Sequence, residues 1–133
     1  MNFPFKHSLS VRFSDVDGLG HTNNAAYITY FEEARLAMMR RINLKSTKTW
    51  QGFPFIVANV SCDFKVATFG ADLLDIHCRI SKIGNASFDI EYVIKKNDSV
   101  VARGKSVQVT YDYDVRGVIP ISDELRKELQ KLV

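Results

Sequence analysis

The segment from Asn24 to about Ile42 restricts the fold more than any other part of the chain. Its apolar residues recur at Tyr27, Phe31, Ala34, Met38 and Ile42, with Ile28, Tyr30 and Met39 beside them, while Glu32, Glu33, Arg35, Arg40 and Arg41 supply the charge. That spacing predicts a helix roughly 28 Å long at about 1.5 Å per residue. The apolar arc is wider than a lone surface helix carries, so other elements have to cover it on several sides.

Those elements are strands. Residues 7–14 set Leu9, Val11 and Phe13 against Ser10, Arg12 and Ser14, the pattern of a strand with one buried face. Residues 55–67 form a β-branched run, and residues 72–83 alternate Leu74, Ile76, Cys78 and Ile80 with Asp75, His77, Arg79 and Ser81. Gly84-Asn85 signals a tight hairpin, followed by Phe88, Ile90, Tyr92 and Ile94 at every second position of 86–96. After a turn at 97–99, the strand 100–113 places Val101, Val107, Val109, Tyr111 and Tyr113 on one face and the small residues Ala102, Gly104 and Ser106 on the other, where a second backbone can approach closely. The chain closes with a short helix that Ser122 caps and that carries Asp123 and Glu124 early and Lys127 and Lys131 late. The expected order is strand, long helix, four antiparallel strands, short helix, an α+β class.

A chain of 133 residues that is 46% apolar is one domain's worth, 1–133, with a core of real size. Lys and Arg number 18 against 15 Asp and Glu, without a run of like charge, which gives no nucleic-acid stripe but suits a small phosphorylated ligand. Neither a signal-peptide core nor a membrane-spanning run is present, so the expectation is a soluble, cytoplasmic protein. Cys62 and Cys78 fit neither a disulfide framework nor a zinc or redox spacing and read as reduced, buried thiols.

Between the first strand and the helix lies a polar knot, "SDVDGLGHTNN", residues 14–24. It begins like a calcium loop, but Leu19 and Ala26 stand where a ligand oxygen and a bidentate Glu are required, so no metal is expected. A helix start offers unpaired N-H groups and a partial positive charge to a carbonyl oxygen that is turning into an oxyanion. Gly18 and Gly20 allow the chain to curl so that Asp17 stands beside the same point, as a general base on water or as a direct nucleophile. Asp15 reads as a structural acceptor of loop N-H bonds.

The run Asp15-Val16-Asp17-Gly18-Leu19-Gly20-His21-Thr22-Asn23-Asn24, with Tyr27 after it, resembles the "D-x-D-x-x-G-H-x-N" loop of the 4-hydroxybenzoyl-CoA thioesterase-like branch of the hotdog fold. The resemblance implies a curved five-stranded antiparallel sheet wrapped around one long central helix, and acyl-CoA thioesterase activity on a small or medium acyl group. It makes Asp17 the catalytic carboxylate, and puts the oxyanion donor at a helix-start N-H near Asn23 or Asn24. Gly20, His21 and Tyr27 join these two in positioning the substrate. It also implies a site formed between subunits of a homodimer or homotetramer, and it calls for no cofactor.

A coenzyme A thioester needs cations for its phosphates, and Lys65, Lys82 and Arg103 are the candidates. The hairpin Gly84-Asn85-Ala86 lacks the basic cluster of some relatives, which leaves an acyl carrier protein open as the thioester's carrier. A non-catalytic acyl-CoA or carrier-protein binding module is the alternative function, in which an ionised Asp17 has no task. Glu32 and Arg35 read as an ordinary helical pair, Glu33 as a support for the loop, and Trp50 and Phe53 as core cover or the border of an acyl pocket.

Overall fold

The computed structural model of the chain describes residues 2–42 and 54–133. Trp50 and Phe53 lie outside the described residues. Five long strands, β1 (Phe5–Ser10), β2 (Phe55–Phe64), β3 (Leu73–Ile83), β4 (Ser87–Lys96) and β5 (Ser99–Asp112), form a curved antiparallel sheet in the order β1-β3-β4-β5-β2. A two-residue strand, β6 (Gly117–Val118), folds back on Tyr111 and Asp112. Two helices, α1 (Asn24–Met39) and α2 (Asp123–Gln130), complete the described α+β fold.

The strand periodicities map directly onto the core. Leu74, Ile76, Cys78 and Ile80 of β3, and Phe88, Ile90, Tyr92 and Ile94 of β4, are all buried, and Tyr27, Tyr30, Phe31, Ala34, Met38 and Met39 of α1 pack into the same cluster. Phe31 stacks on Tyr92 with centroids 4.4 Å apart and 18° between planes. On β5 the small face points to α1, and a Cβ on Gly104 would sit 2.3 Å from the Phe31 ring. The close approach expected of a second backbone is therefore made by an aromatic side chain, with the Ser61 carbonyl on the other side at 2.7 Å.

Several boundaries depart from expectation. The first strand ends at Ser10 rather than at 14, because Val11 pairs instead with the turn before β3: its N-H donates to the Asp72 carbonyl at 2.8 Å and its carbonyl accepts from Ala71 at 2.9 Å. The chain then tightens into a 3-10 turn at Phe13–Asp15, which throws Phe13 outward to 93% exposure rather than onto the buried face. α1 ends at Met39, three residues before Ile42; Arg41 and Ile42 donate to carbonyls only three residues back, the tightened last turn of a fraying helix end. Val101, expected to share a face with Val107 and Val109, is buried, and so is Ala102 of the opposite face. Ser122 caps α2 as expected, accepting from the Leu125 N-H at 3.1 Å. Among the described residues no helix is long and apolar enough to cross a membrane.

Candidate functional site

The polar knot is a closed loop built mostly from its own backbone. Val16 bridges to Thr22, the Asp17 N-H donates to the His21 carbonyl at 2.8 Å, and the Gly20 N-H donates to the Asp17 carbonyl at 3.0 Å. Gly20 lies at φ +80°, a conformation that costs a residue with a Cβ and that glycine adopts freely. Inside this turn, Oδ1 of Asp17 accepts from the N-H groups of Leu19 at 2.9 Å and His21 at 3.2 Å. Oδ2 of Asp17 accepts no hydrogen bond among the described residues.

Asp15 anchors the loop from below. Its Oδ2 accepts from the Arg12 N-H at 3.0 Å and from the Tyr30 hydroxyl at 2.7 Å, while its carbonyl accepts from the Asn23 N-H at 2.7 Å. Burial and the hydrogen bond to Asp15 both push the Tyr30 phenol far above its ordinary range, so it remains a donor. Arg12 reaches Glu33 of α1 at 2.6 Å and Asp15 at 3.7 Å, and His7 of β1 stands 3.5 Å from the other Glu33 oxygen. β1, the 3-10 turn and α1 are thereby tied at the base of the loop. Glu32 faces Arg35 at 4.0 Å, a long helical pair.

The start of α1 follows immediately. Asn23 is the N-cap: its Oδ1 accepts from the Ala25 N-H at 2.9 Å and its carbonyl accepts from the Ala26 N-H, also at 2.9 Å. The N-H of Asn24 has no acceptor among the described residues. It sits at the positive end of the helix.

The third component is the segment that leaves β2, residues 65–72, which straps the knot down. The Thr22 N-H donates to the Thr68 carbonyl at 2.8 Å, His21 bridges to Phe69, and the His21 ring meets the Phe69 ring edge-on at 5.2 Å. Asp72 closes the strap, accepting from the Phe69 N-H at 2.8 Å and pairing with Lys96 at 3.0 Å. The Thr68 hydroxyl lies 2.6 Å from that of Thr22 and 2.8 Å from that of Tyr27.

Knot, helix start and strap enclose a cleft of about 220 Å³ lined by Asp17, His21, Thr22, Asn24, Tyr27, Phe64, Lys65, Val66 and Ala67. Of the residues singled out from sequence, Asp17, His21, Asn24, Tyr27 and Lys65 meet here. Gly20 and Asn23 do not line the cleft; they shape its rim through the +80° turn and the cap. Lys82 is elsewhere in the chain: it pairs with Asp89, whose partner on β5 is Val107, five residues along β5 from the Ala102 that faces Phe64, or roughly 17 Å. Arg103 is one residue from that Ala102 but on the opposite face of the sheet, since Ala102 is buried towards α1. Neither cation lines the cleft, and the reason is pleat and register, which a residue-type argument does not contain. Sequence reasoning passed over Thr22 and Thr68. Thr22 sits inside the motif but is an ordinary spacer by type, and Thr68 lies in an irregular strap that carries no period.

Residues 11–129 match the family model described as the thioesterase-like superfamily. The chain belongs to that superfamily. Among relatives of this thioesterase-like chain is the uncharacterized protein YsmA of Bacillus subtilis, 32% identical over 96 residues; the match covers 69% of this chain and 61% of YsmA. The long-chain acyl-CoA thioesterase FadM of Escherichia coli is 26% identical over 127 residues, covering 94% of this chain and 96% of FadM. A thioesterase from Thermus thermophilus, solved as a complex with coenzyme A and Zn, superposes with a TM-score of 0.85 at 28% identity over 97% of this chain and 99% of that one. The α+β fold with its curved antiparallel sheet is the hotdog architecture of these thioesterases.

Proposed function

We propose that this protein hydrolyses acyl-CoA thioesters carrying a small or medium acyl group, releasing free acid and thiol, with Asp17 as the catalytic carboxylate and the Asn24 N-H as oxyanion donor. One observation carries the reading: Asp17, whose Oδ2 accepts no hydrogen bond among the described residues, and Asn24, whose helix-start N-H has no acceptor among them, line the same cleft. As the thioester carbonyl carbon becomes tetrahedral, its oxygen gains a full charge, and a preorganised N-H at a helix start stabilises that charge more than it stabilises the ground-state carbonyl. Asp17 acts through Oδ2 in one of two ways. It attacks the carbonyl carbon, expels the thiolate and forms a mixed anhydride that water opens, or it takes the proton of a water that attacks instead. The two N-H bonds to Oδ1 hold the carboxylate in one orientation for either role.

Phe64, Val66 and Ala67 provide an apolar wall for the acyl group, and the size of the cleft suits a short or medium chain within one protomer. Lys65 is the cation at the cleft for a CoA phosphate. β2 has no strand partner on its outer side among the described residues and exposes Ile56 and Val57, features that favour pairing with a second copy into a homodimer or homotetramer. Lys82 and Arg103 then have a role only if a neighbouring protomer's substrate reaches them. A cytoplasmic location suits a CoA substrate.

The test is thiol release from a panel of short, medium, long and aromatic acyl-CoAs, together with acyl carrier protein thioesters. Turnover of the short or medium acyl-CoAs is expected. Tight binding of non-hydrolysable thioether analogues without thiol release from any substrate would replace this reading with the acyl-binding module.

A further inference from the structure

Three hydroxyls, those of Thr22, Thr68 and Tyr27, are joined at the cleft by two links of 2.6 and 2.8 Å that share the Thr68 oxygen. Thr68 is fully buried, Tyr27 is 3% exposed and Thr22 is 5% exposed. Three hydroxyl protons serve two links, so one proton is left over. A Thr68 that only accepted would leave its own proton without a partner in the protein interior, because no other acceptor faces it among the described residues. Thr68 therefore donates to one neighbour and accepts from the other. If it accepts from Tyr27, the spare proton belongs to Thr22; if it accepts from Thr22, the spare proton belongs to Tyr27. Both of those residues line the cleft, whereas Thr68 does not.

We infer that Thr68 is a positioning residue for the reaction: it fixes a hydroxyl relay in which one O-H, that of Thr22 or that of Tyr27, is always available to a polar atom in the cleft. The inference rests on the thioesterase reading of the cleft. The relay can reverse by rotation of three hydroxyls without moving a heavy atom, so the donor can follow charge as it passes from the carbonyl oxygen to the departing sulfur. A phenol is the stronger donor, and placing the Tyr27 proton on the more charged of these atoms is the favoured outcome at the transition state. The same residue also sets the frame, because the Thr68 carbonyl holds the Thr22 N-H two positions before Asn24. The relay adds a side-chain donor to the single backbone donor at the helix start. No bond is made or broken by Thr68 itself.

The experiment compares Thr68→Val, which keeps the shape and removes the hydroxyl, with Thr68→Ser, which keeps the hydroxyl, using an acyl-CoA that the wild type cleaves. A directly placed oxyanion donor is worth about 100-fold to 1,000-fold in kcat, and a residue that orients one is worth about 10-fold or more. Thr68→Val is expected to lower kcat by about 10-fold with KM changed by less than about 2-fold, and Thr68→Ser is expected to restore kcat. Should Thr68→Val fail to fold, Thr22→Val and Tyr27→Phe take its place: each alone leaves one donor in the relay, so the double variant loses more than the product of the single losses. Wild-type kcat in Thr68→Val, or single losses that simply multiply, overturns the relay while leaving the hydrolase intact. Absence of thiol release by the wild type from every substrate overturns both.

Discussion

Gly104 offers a sharp test of how α1 is seated on the sheet. A Cβ at this position would lie 2.3 and 2.4 Å from Cε2 and Cζ of Phe31 and 2.7 Å from the Ser61 carbonyl oxygen. Ordinary carbon contacts fall at about 3.5 to 4.0 Å, so the ring would have to retreat by roughly 1 Å or more. It has nowhere to go, because Phe31 is fully buried and stacked on Tyr92, which is fully buried too. Ser61 belongs to the β2 ladder opposite β5, and its oxygen is fixed by that pairing. Overpacking a tight core typically costs about 1 to 3 kcal/mol, and two rigid neighbours place Gly104→Ala at or above about 3 kcal/mol. For a chain of this size that lowers the melting temperature by about 10 °C. Gly117→Ala is the control: its Cβ meets nothing within 4 Å and its φ is not positive, so it changes stability by less than about 0.5 kcal/mol. Thermal unfolding followed by circular dichroism reads both variants. A Gly104→Ala protein melting within about 3 °C of wild type would refute this packing of α1 on β5.

Two further perturbations test the strap and the cleft. Burial raises the Asp72 carboxyl, but the Phe69 N-H and the Lys96 ammonium outweigh it and hold the group below its ordinary value. A depressed carboxyl stabilises the fold above its unfolded value of about 3.9, and that contribution is lost as pH falls through the lower folded value. The melting temperature of Asp72→Asn is therefore expected below that of wild type at pH 7, with the gap closing below about pH 4; a gap independent of pH contradicts the assignment. For the thioester's carrier, Lys65→Glu is expected to raise KM for acyl-CoA several-fold and to make it depend less on salt, whereas Lys82→Glu leaves KM unchanged in steady-state assays. Equal effects of the two would place CoA across protomers rather than along this cleft.

The strands were legible because burial follows a period of two. Leu74 to Ile80 alternate with partly exposed neighbours and land in the core, and Phe88, Ile90, Tyr92 and Ile94 land there too, although β4 also buries Asp89 and Val93 between them. α1 was legible from its apolar recurrence and α2 from Ser122 and its charge order. What escaped notice depends on tertiary pairing. Phe13 continues the alternation of β1 on paper, yet Val11 had already been claimed by the turn at Ala71 and Asp72, and the chain curls away. β6 is two residues long and has no period to read; it forms because Oδ1 of Asp112 accepts from Asp114 and Val115 and Arg116 takes a positive φ. At the candidate site, the loop motif pointed to Asp17, His21, Asn24 and Tyr27, four residues that now share one cleft. The strap residues did not announce themselves, since a threonine gains its position at Thr68 only when residues 46 positions apart are brought into hydrogen-bonding range. The same physics explains the cations: charge type selected Lys65, Lys82 and Arg103 equally, and register separated them.

Asp17→Asn tests the central claim most directly, because the change is nearly isosteric and keeps an oxygen for the Leu19 and His21 N-H groups. The measurement is the rate of thiol release from the best acyl-CoA substrate, with the affinity for its thioether analogue determined in parallel. The account predicts at least about a 100-fold loss of kcat with unchanged analogue binding and an unchanged melting temperature, as expected when an interaction made only in the transition state is removed. A variant that releases thiol at the wild-type rate would contradict it, and the carboxylate at the helix start would then be an element of the loop rather than of the chemistry.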